Sequence, residues 1–230
     1  MNTDCWFCVE EIGDCVKGQD VNWCDEHCPS YKNTKINFEK SNLPEKYWWP
    51  FSIKRTKIDS QEIDKILEIK NNLEKFVQDG KNVLLQSSKC GNGKTSLGIK
   101  LLQKQIELNH RRCAISYPPA FFIYTPSLLL EARKSISSKD TNFEYIRHVL
   151  KHCPLVMFDD IGCISLKDYD LLILSTVIEE RLLKGLSNIF TTNLQGEALK
   201  ELLGERLYDR ISRLSCVVTL RADSLRGNND

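Results

Sequence analysis

Two spacings of apolar residues alternate along this chain of 230 residues. Short continuous apolar runs, bounded by polar or turn-forming residues, read as buried strands: Asn82–Gln86, Ala120–Tyr124, Leu155–Phe158 and Cys216–Leu220; Ser187–Asn193, with Asn193 at its end, reads as a further strand. Between them, apolar residues recur every three to four positions and predict helices. The first covers 60–79, with Ser60 as N-cap, Ile63, Ile66, Leu67, Leu73 and Phe76 on its apolar side, and Gly80 closing it. A second follows a glycine loop and runs past Leu101, Leu102 and Ile106, ending before Pro118-Pro119. A third starts at Thr125-Pro126, with Thr125 as N-cap and Pro126 in the first helical position. Further helices are expected over Asn142–His152, from Leu166 to Lys184 before Gly185, and over Glu205–Arg213. Strands that alternate with helices point to an α/β fold with a parallel sheet.

The loop between the first strand and its helix carries the most specific chemistry. Ser88-Lys89-Cys90-Gly91-Asn92-Gly93-Lys94-Thr95-Ser96 nearly matches the phosphate-binding loop of nucleoside triphosphatases. Gly91 and Gly93 allow a tight turn that presents backbone N–H groups to phosphate oxygens. The helix N-terminus adds partial positive charge at the same place. Lys94 would reach the β- and γ-phosphates, and the Thr95 hydroxyl would hold Mg²⁺. One position departs from the pattern: Ser88 stands where the first glycine is usual, and its Cβ restricts the backbone.

A second motif follows from the run Leu155-Val156-Met157-Phe158, which ends in Asp159-Asp160. This is a Walker B arrangement. A strand lying beside the phosphate loop would deliver Asp159 to the Mg²⁺ shell, and Asp160 would orient or deprotonate an attacking water. The second carboxylate is usually Glu. Asp is one methylene shorter, so slow hydrolysis is expected. Asn193, at the end of a later strand, would lie near the γ-phosphate, because ligands of open α/β sheets sit outside the carboxyl ends of the strands. Arg206, Arg210 and Arg213 fall on one face of the last helix, where they form either a solvated basic face or an arginine finger acting in trans.

Composition changes the picture at the other end of the chain. Net charge is only +1, but residues 1–30 carry seven acids against one lysine, whereas residues 31–59 carry seven bases against three acids. Of the ten cysteines, five lie in residues 1–30. No apolar run is long enough to span a membrane and no signal peptide opens the sequence, so a cytoplasmic protein without membrane association is expected. In such a compartment cysteines point to metal before disulfides. Cys5-x-x-Cys8 and Cys24-x-x-x-Cys28 resemble the paired turns of a zinc site, with Cys5, Cys8, Cys24 and Cys28 as ligands. His27 can replace Cys28, and Cys15 can replace one of the others. The acidity of this head argues against phosphate contact and for protein docking through Trp6, Phe7 and Trp23. The expected division is a zinc module over 1–30, a basic linker over 31–59 broken by Pro44 and Pro50, and a nucleotide-binding domain over 60–230. Tyr47-Trp48-Trp49, in the linker, are expected to pack on that domain.

Taken in order, Gly91–Thr95, Phe158–Gly162, Asn193 and Glu205–Arg213 resemble the AAA+ ATPases. The resemblance is to the DnaC/DnaI-type helicase loaders and the related IstB transposition helpers, and it covers about residues 60–230. The ending Ser224-Leu225-Arg226 is similar to the Ser-x-Arg ending of that group. The resemblance implies a three-layer P-loop sandwich with a central parallel sheet and no C-terminal lid. It implies Asn193 as sensor I and Arg210, or else Arg213, as the arginine finger. It further implies ATP and Mg²⁺ as ligands, ATP-dependent homo-oligomers, contact with single-stranded DNA, and docking of the zinc head on a replicative hexameric helicase. The other readings are a transposition helper of the IstB type and an adaptor that binds ATP without hydrolysing it.

Overall fold

Along each strand, successive side chains leave opposite faces of the sheet, and both faces of this sheet are covered. The computed structural model describes residues 29–48, 51–53, 55–110, 116–137 and 142–225. The candidate zinc ligands Cys5, Cys8, Cys24 and Cys28, with Cys15 and His27, lie outside the described residues.

Five strands, β1 (Asn82–Gln86), β2 (Ala120–Tyr124), β3 (Leu155–Ile161), β4 (Ser187–Thr192) and β5 (Ser215–Thr219), form one parallel sheet in the order β2-β3-β4-β1-β5. Val83, Leu85, Phe122, Met157, Ile189 and Val218 project to one face, and Leu84, Phe121, Ile123, Val156, Phe158 and Phe190 to the other. The first face is covered by α1 (Pro29–Lys40), α2 (Ser60–Asn71), α3 (Leu73–Gln78) and α4 (Lys94–Leu108). The second is covered by α5 (Thr125–Ser137), α6 (Asn142–His152), α7 (Asp168–Leu183), α8 (Gly196–Leu203) and α9 (Glu205–Leu214). This is a three-layer α/β/α sandwich. Gly98 lets α4 lie against the sheet, since a Cβ there would sit 2.7 Å from Met157 Cε and 2.8 Å from its Sδ.

The structure differs from the sequence reading at three places. The helix expected over 60–79 is two helices, broken at Asn72, whose backbone (φ −112°, ψ 26°) leaves the helical region. Helix α8, between Asn193 and the arginine-bearing α9, had no separate signal. Strand β4 lies between β1 and the strand carrying the two aspartates, an order the sequence left open, and the end of that strand reaches the phosphate loop as expected. The third difference concerns residues 29–48, which overlap the expected linker. Helix α1 buries Phe38, and Leu43 follows it into the core. Tyr47 and Trp48 pack on the same cluster, as the aromatic run suggested, and the Trp48 indole donates to Leu43 O (2.8 Å).

This segment also protects the sheet. On edge strand β2, Phe122 N–H donates to Ser41 O (2.8 Å) and Phe122 O accepts from Asn42 Nδ2 (2.9 Å). On the opposite edge, Thr219 N–H of β5 donates to the Glu62 carboxylate (3.1 Å). Unpaired edge groups are thereby satisfied within the chain. After β5 the described chain continues as an extended segment to Leu225.

At the amino ends of β3 and β4 the guanidinium of Arg181 is buried (1% exposed). It donates to Leu150 O, to Cys153 O (3.0 Å), to Ser187 O (2.8 Å) and to Asn188 Oδ1 (2.6 Å). Burial pushes its pKa down to about 10. Arg181→Met would leave four acceptors without their donor, and the expected loss is about 3–5 kcal/mol, read as a lower midpoint in urea unfolding.

Candidate nucleotide site

The carboxyl ends of the strands meet at a cavity of about 600 Å³. Its floor is the loop between β1 and α4. Ser87, the first residue after β1, is fully buried and organises the turn. Its N–H donates to Thr192 O (3.2 Å), and its hydroxyl accepts from Lys89 N–H (3.0 Å) and Asn92 Nδ2 (2.6 Å). Gly91 and Gly93 take φ of +76° and +98°, in the left-handed region that side chains disfavour. Ser88 does not take a positive φ, so its Cβ meets no backbone penalty. It is exposed and does not belong to the cavity wall. Cys90, Gly91, Asn92, Gly93, Lys94, Thr95 and Ser96 all do. Lys94 is buried, and its ammonium donates to Lys89 O (2.9 Å) and Asn92 Oδ1 (3.2 Å).

Strand β3 supplies the two carboxylates. In a regular strand Asp159 and Asp160 would face opposite ways. Here the β3–β4 register runs Phe158↔Phe190 and then Ile161↔Thr192, so β3 contains one extra residue. Asp160, at φ +58°, absorbs it as a bulge, and both aspartates line the cavity. The Thr191 hydroxyl of β4 fixes the bulge by accepting Asp160 N–H (2.9 Å) and donating to Asp159 Oδ1 (2.7 Å). The same Asp159 oxygen accepts from Thr95 Oγ1 (3.0 Å). Asp159 is 5% exposed. Burial raises its pKa above the ordinary value and the Asp160 charge adds to this, against the opposing pull of Thr191, Thr95 and the Lys94 ammonium.

Asn193, just beyond β4, lines the cavity. Its Oδ1 is buried without a hydrogen-bond partner among the described residues, an arrangement that buried polar atoms rarely keep unless something else completes it. The arginines of α9 are placed elsewhere. Arg206 and Arg210 reach Glu179 of α7 (3.2 and 3.7 Å), and Arg213 reaches Asp209 (2.6 Å); none of the three lines the cavity.

The residues present suit a magnesium nucleotide. Thr95 Oγ1 and Asp159 Oδ1 are hard oxygen donors that meet in the cavity, the donor type Mg²⁺ prefers. Among the described residues no group of three or more His, Cys, Asp or Glu side chains forms a metal cage. Mg²⁺ needs none, since it is usually held by one or two protein oxygens, substrate phosphates and water. Lys94, the turn at Gly91–Gly93 and the N-terminus of α4 supply positive charge and N–H groups for phosphates.

Comparison with protein-family models and with the curated proteins finds no match. Solved structures do match. The crystal structure of the DnaC helicase loader aligns with a TM-score of 0.62 at 21% identity, covering 77% of this chain and 100% of that one. The crystal structure of DnaI aligns at 0.60 and 21% identity, covering 78% and 95%. The replication initiator DnaA bound to AMPPCP and single-stranded DNA aligns at 0.55 and 17% identity, covering 74% of this chain and 48% of that one. The fold is the P-loop AAA+ fold. The sequence reading missed Ser87, just beyond β1, and Thr191, near the end of β4, two small hydroxyl residues whose use only the tertiary hydrogen bonds reveal. No helix among the described residues is long and apolar enough to cross a membrane.

The raised Asp159 pKa has a consequence for stability. Between the unfolded value and the higher folded one, the native state holds the proton more tightly, so stability falls as pH rises through that window. Asp159→Asn removes the buried charge but keeps an acceptor oxygen for Thr95 and Thr191. Without nucleotide the variant is expected to melt above wild type at pH 7. The gap should close as pH is lowered through the carboxyl's titration; equal midpoints at every pH would refute this.

Proposed function

We propose that this chain binds ATP with Mg²⁺ in the cavity and acts as a loader of a replicative hexameric DNA helicase. The observation that carries nucleotide binding is the convergence of Lys94, Thr95, Asp159, Asp160 and Asn193 on one cavity from three segments of the chain. Lys94 would neutralise the β- and γ-phosphates, and Thr95 and Asp159 would hold the cation, which supplies charge neutralisation at the phosphates. Asp160 would accept a proton from water directed at the γ-phosphorus, with Asn193 orienting the reactants. With Asp in place of Glu at this position, turnover is expected to be slow.

The loader role is supported by the likeness to DnaC and DnaI and by a division of labour legible in the chain. Residues 1–30 are proposed as a zinc module, held by Cys5, Cys8, Cys24 and Cys28, that docks on the helicase; its acidity and paired cysteines support this. Single-stranded DNA contact follows the example of DnaA. ATP-dependent homo-oligomers would form with Arg210 exchanging Glu179 for the phosphates of a neighbouring copy, or with Arg213 in that role.

Lys94→Ala should weaken ATP binding about 10–100-fold, the worth of a charge-assisted contact, in a fluorescent-nucleotide titration. Asp160→Asn should bind ATP within about threefold of wild type yet lose about 100-fold in turnover, measured as phosphate release. If turnover survives, Asp160 is not the base. Native-mass titration against the replicative helicase of the source organism, with Cys24→Ser beside wild type, tests the partner. A complex lost in the variant supports docking through the zinc module, and no complex with or without ATP removes the loader reading.

A further inference from the structure

The segment after β5 does not leave the molecule; it crosses to the phosphate loop. Leu220 N–H donates to Gln86 O (3.0 Å) and extends the β5–β1 pairing by one step. The next two N–H groups, of Arg221 and Ala222, are each taken by one oxygen of the Asp59 carboxylate (2.8 and 3.0 Å). Asp59 is 2% exposed and stands immediately before α2. A buried carboxylate is costly unless its oxygens are hydrogen-bonded, so this pairing holds the segment firmly. Beyond it, Asp223 reaches Lys89 (2.6 Å) in an exposed ion pair that adds little. Leu225 N–H then donates to Gly91 O (2.9 Å), and Leu225 Cδ1 lies 3.7 Å from where a Cβ on Gly93 would be.

The last hydrogen bond acts on a specific element of the loop. Gly91 O and Asn92 N–H belong to one planar peptide unit, so fixing the carbonyl fixes the direction of the N–H. Glycine at 91, at φ +76°, leaves this unit free to rotate unless something holds it. We propose that residues 220–225 form a strap that sets the phosphate loop, with Asp59 as the positioning residue that anchors it. Asp59 touches no phosphate on this account; it acts through Arg221, Ala222 and Leu225. The strap also joins the two ends of the cavity, since Asp59, Leu220 and Leu225 all line it. The inference rests on the nucleotide-binding reading only for its functional consequence.

The test uses the full chain with Asp59→Asn and Leu225→Pro, the second deleting one N–H at a half-buried position in case the first fails to fold. Hydrogen exchange of the 90–96 amides in the nucleotide-free protein should be about 10-fold faster in each folded variant, the loss of roughly one hydrogen bond's protection. Affinity for ATP·Mg²⁺ should fall about 10-fold while affinity for AMP, which lacks the β- and γ-phosphates, stays within about twofold. A general loss of fold would instead lower both affinities together and would overturn the positioning role. Unchanged exchange and unchanged ATP affinity in Leu225→Pro would overturn the strap outright. Should wild type itself fail to bind ATP, the nucleotide reading falls, and the exchange measurement still decides whether the strap sets the loop.

Discussion

The carboxylate of Asp159, buried at the end of an apolar strand, is the constraint on which the site depends. A charge in that position must be met by donors. Thr95 comes from the first turn of α4 and Thr191 from β4. Thr191 can reach it because β4 neighbours β3 in the sheet, and Thr95 because α4 rises from β1 on the far side of β4. The close approach of α4 at Gly98 and the bulge at Asp160 serve the same meeting point. Strand order, helix packing and a local backbone irregularity are therefore one solution to one electrostatic problem. Burial of that charge is what raises the pKa of Asp159.

Much of this was legible before the structure, for identifiable reasons. Four of the five strands gave continuous apolar runs, because a parallel sheet covered on both faces leaves little polar alternation; β4 carries only Ile189-Phe190 among polar residues. Asn142–His152 was located at both ends because its apolar side is sharply segregated. Gly91 and Gly93 were legible because the left-handed backbone they adopt is nearly closed to other residues. Strand order was not, since nothing in the local pattern of β3 or β4 says which lies next to β1. Helix α1 was missed because lysines dominate its sequence, although Phe38 is enough to seat it in the core. Ser88 looked like a defect in the glycine pattern. The structure places its backbone where any residue is allowed and gives the organising role to its neighbour, Ser87.

The arginines of α9 illustrate the limit of reading a helical face. The i, i+4, i+7 spacing correctly placed Arg206, Arg210 and Arg213 on one helix, but spacing cannot reveal a carboxylate on another element. Glu179 of α7 holds two of them and Asp209 the third. The Arg213–Asp209 pair is exposed and worth at most about 1 kcal/mol, whereas Arg210 and Glu179 are half-buried.

Residues 41–63 change how the two ends of the chain relate. They supply partners to both sheet edges, through Ser41 and Asn42 on β2 and Glu62 on β5. They also supply cavity wall, through Pro44, Tyr47, Ile53 and Asp59. Gln103 of α4 donates to Tyr47 O (2.6 Å), which ties this segment to the helix that begins at the phosphate loop. Part of a segment that read as a spacer thus lines the cavity and is tied to α4.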